Sequence, residues 1–148
     1  MKLQTAEFYP DSGDSFAAIE HLGVTFTGEA RLHPEDKDKV SEYRGCGIAE
    51  TRAEINALRY EHKLAKHETE IIRKFIHCCK CHKTWDNDSP TAKAMYHQLN
   101  VRIKKVNTLA DEINLLIMNL KSKINKRDKY LEMLEMAKQK RLKGKEEK

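Results

Sequence analysis

Apolar residues recur with a heptad period through the C-terminal half of the chain, between Ala92 and Leu142. One heptad position holds Leu99, Val106, Ile113 and Leu120, and the position four residues on holds Ile103, Ala110, Ile117, Ile124 and Leu131. Neither Pro nor Gly occurs between Thr91 and Lys143. The pattern therefore predicts one helix of roughly 75 Å. A helix with such a stripe needs a partner surface to cover it.

A second and weaker heptad seam precedes the long one. One of its positions holds Ile48, Ile55, His62, Thr69 and Ile76, and the other holds Thr51, Leu58, Ala65, Ile72 and Cys79. This seam predicts a helix of about 30 residues that ends between His77 and Lys80. Residues 82–90 form the connector, where Ser89-Pro90 is typical of a helix start. We expect an antiparallel hairpin whose shorter arm leaves about 20 residues of the longer arm uncovered.

The first third of the chain has strand patterns. Residues 24–33 alternate apolar and polar side chains with period two, which predicts a half-buried strand. Residues 3–9 are a plausible partner strand, because Pro, Asp and Gly in residues 10–14 suit a turn. Residues 15–22 fit either a strand or a short helix. A two- or three-stranded antiparallel sheet is expected here, and it needs the helices for stability.

Between this sheet and the first long helix, Pro34 and the acidic residues after it favour a short helix or turn through Tyr43. Gly45 and Gly47 are expected to loosen the backbone before the helix begins. The predicted fold class is α+β, mainly α, with a small N-terminal antiparallel β element followed by a coiled-coil-like antiparallel helical hairpin. The predicted domains are 1–44 (β-rich), 45–142 (hairpin) and 143–148 (disordered basic tail).

Composition fits this picture. Of 148 residues, 39% are apolar, 7% aromatic and 34% charged, which suits a solvent-exposed helical surface better than a buried α/β enzyme. The net charge of +5 is unevenly divided: residues 1–44 hold 5 basic and 9 acidic residues (−4), and residues 45–148 hold 23 and 14 (+9). The positive charge of residues 45–148 favours binding to a polyanion. The opposite charges of the two parts equally favour head-to-tail contact between subunits.

Location and redox state follow from two further observations. The chain starts with no apolar run of signal-peptide type, and no stretch approaches 18 apolar residues. Three of the four cysteines crowd into residues 78–81, unlike the spaced cysteines of a secreted domain. We expect no membrane association, reduced thiols and a cytoplasmic location.

No motif in the chain names a reaction. The chain lacks the sequence patterns for phosphate binding, dinucleotide binding, a nucleophile elbow and a zinc protease. We therefore predict that the protein is not an enzyme. Cys78 and Cys81 have C-x-x-C spacing and His82 is adjacent, which would let two thiolates reach one zinc ion. A structural zinc site needs a second ligand pair, and none has comparable spacing. We therefore predict no metal and no cofactor, with zinc at Cys78, Cys81 and His82 as the alternative.

Basic residues along the long helix are candidates for phosphate or anion binding. They are Arg102, Lys104, Lys105, Lys121, Lys123, Lys126 and Arg127. Clustered cations neutralise phosphates and give salt-dependent affinity. No base-reading module or set of stacking aromatics accompanies them. The same residues also fit a solvated helix face, or pairing with an acidic protein.

Partner binding is predicted where the long helix extends beyond the end of the shorter one. The candidate residues are Ile124, Tyr130, Leu131 and Leu134, together with Trp85 in the connector. A stripe left uncovered within the chain predicts a homo-oligomer or a target protein. Trp85 is either an exposed anchor or a plug over Ile76 and Tyr96.

Residues 24–61, a strand followed by His-Pro-Glu-Asp, two glycines and a helix with Ile-Ala and Arg-Ala, resemble small uncharacterised proteins of bacteriophages and prophages. The resemblance implies a viral accessory protein acting in the host bacterial cytoplasm, and it carries over no site residue. The leading hypothesis is a non-enzymatic inhibitor of a host defence factor, which occludes a protein or sequesters a nucleotide signal. The alternative is a nucleic-acid-binding module with a basic helical face and zinc at the hairpin tip.

Overall fold

A computed structural model describes residues 1–32 and 42–146, with the side chains of all but 126–131, 134 and 145–146. Along the chain lie three strands, β1 (Lys2–Tyr9), β2 (Asp14–His21) and β3 (Val24–Ala30), and two helices, α1 (Glu42–Lys80) and α2 (Pro90–Glu146). The fold is α+β and mainly α, an antiparallel sheet followed by a helical hairpin, as predicted. The turn or short helix predicted after Pro34 lies outside the described residues.

The sheet has the order β1-β2-β3, and both pairings are antiparallel. The segment that fitted either strand or helix is the central strand β2. Its side chains from Ala17 to Ile19 are buried without a break, so they lack the clean alternation of a strand with one solvated face. The β1–β2 turn contains Gly13 with φ 75°, in agreement with the predicted turn.

Small residues bring α1 close to β3. Ala49 and Ala53 on α1 are fully buried against the sheet. A Cβ atom added to Gly28 of β3 would lie 2.1 Å from the carbonyl oxygen of Ala49 and 2.5 Å from the amide nitrogen of Ala53. Only glycine allows backbone contact at this distance. At this point the backbone of α1 thus packs directly against the backbone of β3.

Side chains of α1 then follow the outer edge of β3. Successive contacts join Arg52 Nη1 to the Glu29 carbonyl (2.5 Å), Asn56 Nδ2 to the Thr27 carbonyl (2.9 Å) and the Tyr60 ring to the Phe26 ring (centroids 5.2 Å apart). Since residue numbers rise along α1 as they fall along β3, the two elements run in opposite directions. The donated hydrogen bonds satisfy carbonyl groups at an edge that would otherwise be open.

The two helices pack along the predicted seams. Every described seam position of both helices is buried or half-buried. The predicted start of α2 is confirmed, because the Ser89 hydroxyl accepts a hydrogen bond from the amide of Ala92 at 3.1 Å. The Ser89 carbonyl accepts from the amide of Lys93 at 3.0 Å. Three layers result, with α1 between the sheet and α2.

Two predicted boundaries are wrong. α1 begins at Glu42, because the helix includes Gly45 and Gly47 instead of starting after them. A Cβ at Gly45 would lie 2.2 Å from Ser15 Oγ, so glycine serves close packing there and not a loose backbone. At the other end of the hairpin, α2 continues to Glu146, whereas a disordered tail was expected from residue 143.

The longer α1 changes which part of α2 is covered. Leu120 and Ile124 pack against the core cluster of Ala17, Ala30, Ile48 and Ala49. The prediction that Ile124 is uncovered within the chain is therefore wrong. With 39 residues in α1 and 57 in α2, roughly the last 18 residues of α2 extend beyond α1. Within the described residues, neither helix has a stretch long and apolar enough to cross a membrane.

Candidate functional site

The structure separates the residues that the sequence predicted for partner binding. Ile124 belongs to the core, as described above. The side chains of Tyr130, Leu131 and Leu134 lie outside the described part of the chain. Trp85 is half-buried, and its indole N–H donates to Asn87 Oδ1 at 2.7 Å.

Trp85 closes the end of the hairpin. Its ring meets the Tyr96 ring edge-on, with 6.4 Å between centroids and 75° between planes. Lys80 Nζ lies 5.1 Å from the centroid of the same Tyr96 ring. These contacts favour the plug over the exposed anchor as the role of Trp85.

The basic residues do not form one continuous phosphate-binding face. Arg102 pairs with Glu68, and Lys105 Nζ lies 3.9 Å from Glu61 Oε1. Lys123 is half-buried and donates to Thr51 Oγ1 at 2.8 Å and to the Gly47 carbonyl at 3.3 Å. Among the predicted anion-binding residues with described side chains, only Lys104 and Lys121 are exposed without a contact of this kind. The side chains of Lys126 and Arg127 are outside the description.

A groove beside Lys123 has a cavity volume of about 850 Å³. It runs between β1 and the start of α1, and its lining includes Ala6, Tyr43, Cys46, Glu50 and Lys123. Because the Lys123 ammonium already donates to two oxygens of α1, it fastens α2 to α1. Because these hydrogen bonds occupy the Lys123 ammonium, the groove is a weaker phosphate site than the presence of a lysine in its lining suggests.

The cysteine-rich tip shows no assembled metal centre among the described residues. Cys78 and Cys81 are exposed free thiols at the end of α1. His82 Nδ1 lies 3.1 Å from Thr84 Oγ1, with which it shares a hydrogen bond. No group of three or more His, Cys, Asp or Glu side chains in the described part could hold one ion. Within the described part of the chain, the C-x-x-C spacing of Cys78 and Cys81 is the only remaining support for a zinc site.

One polar contact was not predicted. His21 Nε2 lies 2.6 Å from Glu61 Oε2, and the two side chains are 14% and 18% exposed. His21 ends β2 and Glu61 lies on α1, so the pair fastens the end of the sheet to the helix. Lys105 of α2 approaches the other Glu61 oxygen. The residues are 40 positions apart, and neither belongs to a motif that would have revealed the pair.

Beyond this pair, no described element covers the side of α1 that faces the sheet. Under the sheet this side carries Ala49, Ala53 and Ala57, all fully buried. Helical spacing continues the same side through Leu64 (39% exposed), Ile71 (54%) and Phe75 (58%). We name Leu64, Ile71 and Phe75 the shelf.

A second apolar surface lies on the side of α2 that faces away from α1. It consists of Leu115, Met118, Met133 and Met136, which are 66%, 66%, 69% and 62% exposed. The first pair precedes the second by 18 residues, which is five turns of an α-helix. The four side chains therefore lie along one line of α2, and we name them the outer stripe.

Exposed apolar surfaces of this kind mark sites of interaction with other molecules. No protein-family model, no curated protein and no solved structure matches the chain. Function must therefore be inferred from the shelf, the outer stripe and the arrangement of the two helices.

Proposed function

We propose that this protein is a non-enzymatic binding protein of phage type, which inhibits a host factor by occluding one of its surfaces. The observation that carries the proposal is the outer stripe, four apolar side chains on a helix that continues about 18 residues beyond its partner. Helices of this form bind by laying apolar side chains into a groove of the target.

Methionine in three of the four stripe positions supports a protein target. Its unbranched, polarisable side chain adapts to irregular surfaces, which suits an inhibitor that must match a host protein. Capture of a nucleotide signal or of nucleic acid receives less support. Arg102, Lys105 and Lys123 already contact acceptors of their own chain.

The location of the activity belongs to the same proposal. An inhibitor of bacterial defence acts in the host cytoplasm, where reduced thiols such as the exposed Cys78 and Cys81 persist. The resemblance of residues 24–61 to phage accessory proteins supports this setting.

The test is phage plating on bacterial strains that carry defined defence systems. Expression of the wild-type chain is expected to restore plaque formation on at least one such strain. Met133→Glu places a charge in the stripe and should abolish the effect. Gln139→Glu adds the same charge at an exposed position of the same helix but outside the stripe, and should retain it.

Circular dichroism of the purified variants checks that both keep the helical content of the wild type. A wild-type chain that changes plating on none of the strains contradicts the proposed function. Full activity of Met133→Glu contradicts the role of the outer stripe.

A further inference from the structure

The two edges of the sheet differ in what covers them. At the β3 edge, Arg52 and Asn56 of α1 donate hydrogen bonds to two backbone carbonyls of the strand. β1 forms the other edge, and among the described strands it pairs with β2 alone. An edge strand without a cap offers its unpaired N–H and C=O groups to any extended chain. β1 is therefore the edge at which the sheet can grow.

The register of the sheet identifies the backbone groups of β1 that point outward. The carbonyls of Thr27 and Glu29 point away from β2, and the direction of hydrogen bonding alternates along antiparallel strands. Carried through both pairings, this alternation turns the backbone groups of Ala6 and Phe8 toward the open edge. Among the described residues, no hydrogen bond reaches these outward groups.

The groove beside Lys123 lies directly under this edge. α1 packs mainly against β2 and β3, with Gly45 against Ser15 of the central strand, so β1 overhangs the helix. Ala6 lines the groove, and Leu3 on the same side of β1 is 48% exposed. A fourth strand would lie about 4.8 Å beyond β1, and every second side chain of that strand would enter the groove.

A bulge limits the part of β1 that can pair with a further strand. The register shifts between Leu3 and Thr5, and such an irregularity disrupts pairing at an edge. Residues 5–9 pair regularly with β2 and contain neither Pro nor Lys, the residues that commonly protect an edge. We name residues 5–9 the open stretch.

We propose that the open stretch binds an extended basic segment of a partner protein as an antiparallel fourth strand. Residues 1–32 hold 2 basic and 5 acidic residues (2 − 5 = −3), so the sheet attracts a cation. Glu7 lies on the solvent side of the open stretch, where a Lys or Arg directly opposite forms a favourable cross-strand pair. On its other side the segment meets the apolar lining of the groove, which includes Tyr43 and Ile48.

A second copy of β1 is a poorer occupant of the same edge. It brings another Glu7 to the pairing instead of the opposite charge. The interface with a basic segment is also separate from the outer stripe on α2, so it does not depend on the function proposed above.

Nitrogen-15 NMR of the full chain, titrated with a blocked seven-residue peptide of alternating Lys and Val, tests the proposal. The amide signals of Ala6 and Phe8 should shift and saturate, because their N–H groups donate to the added strand. With Val toward the groove, the Val amides face β1 and the Lys amides face solvent. Methylation of the three Val nitrogens should weaken binding at least about 10-fold, because it removes the N–H groups that β1 accepts from. Methylation of three Lys nitrogens is the matched control and should leave the affinity unchanged.

Variants of the chain test the same edge from the other side. Ala6→Pro removes one outward N–H, and proline is tolerated on an edge strand where that N–H faces solvent, so binding should weaken at least about 10-fold in a folded chain. Glu7→Lys should weaken binding of the Lys–Val peptide and strengthen binding of a matched Glu–Val peptide, a reversal that a damaged fold does not produce. Met133→Glu in the outer stripe should leave both affinities unchanged.

Three results overturn the proposal. One is the absence of a saturable shift at Ala6 and Phe8 up to about 1 mM peptide. Another is equal weakening by the Val and the Lys methyl groups. The third is a chain that associates with itself through β1 and does not bind the peptide.

Discussion

The first half of α1 lies under the sheet, and the second half, from Glu61 to Lys80, lies beyond it. The residues on the sheet-facing side of the helix differ between these two halves. Under the sheet, Ala49, Ala53 and Ala57 let the helix backbone approach a strand. Beyond the sheet, the same side carries the larger apolar residues Leu64, Ile71 and Phe75, which are 39%, 54% and 58% exposed. Alanine thus marks the half of this side that lies against a strand with glycine opposite, and large exposed side chains mark the half that no described element covers.

The largest expected effect tests the covered half. Gly28→Ala places a Cβ 2.1 Å from a backbone oxygen of α1, and backbone cannot yield as a flexible side chain can. We expect about 3 kcal/mol of destabilisation in urea unfolding. Gly144→Ala is the control, because a Cβ there meets nothing within 4 Å. Equal stability of the two variants would show that the close contact between α1 and β3 is not required.

A smaller effect is expected at the boundary between the halves. His21→Ala leaves Glu61 half-buried without its 2.6 Å partner, and we expect a loss of about 1–3 kcal/mol in the same unfolding experiment. Arg73→Ala removes an exposed pair with Glu70 and should cost under about 0.5 kcal/mol. If the two variants lose the same stability, the pair does not fasten the sheet end.

The smallest effect concerns Tyr9 on the edge strand β1, whose side chain is 49% exposed. The Tyr9 hydroxyl donates to Glu7 Oε2 at 2.7 Å, and this hydrogen bond, with the carboxylate charge, raises the pKa of Tyr9 above its ordinary value of 10.0. The resulting stabilisation is complete below pH 10.0 and is lost as the pH rises through the raised pKa. Titration followed by carbon NMR of the Tyr9 ring should show the raised pKa, and Glu7→Gln should lower it.

The sequence predicted those parts of the fold that depend on local periodicity. The two seams, the strands containing Leu3 and Phe26, and the Ser89 cap all follow from residue spacing or from a single local hydrogen bond. β2 was ambiguous because its apolar residues run without a break from Phe16 to Ile19, so the sequence lacks the alternation typical of a strand with one solvated face.

What the sequence could not predict depends on contacts between distant segments. Gly45 resembles a helix breaker until Ser15 is placed beside it, and Ile124 looked uncovered because the first helix was expected to start too late. The shelf is hidden for the same reason. Its residues look like ordinary members of an amphipathic helix, and only the length of the sheet shows where its cover ends.

Hydrogen exchange tests the difference between the two halves of α1 most directly. Peptides from residues 48–60 lie under the sheet and should exchange more slowly than peptides from residues 61–80, whose sheet-facing side no described element covers. Equal protection of the two halves, or greater protection of residues 61–80, would contradict the account.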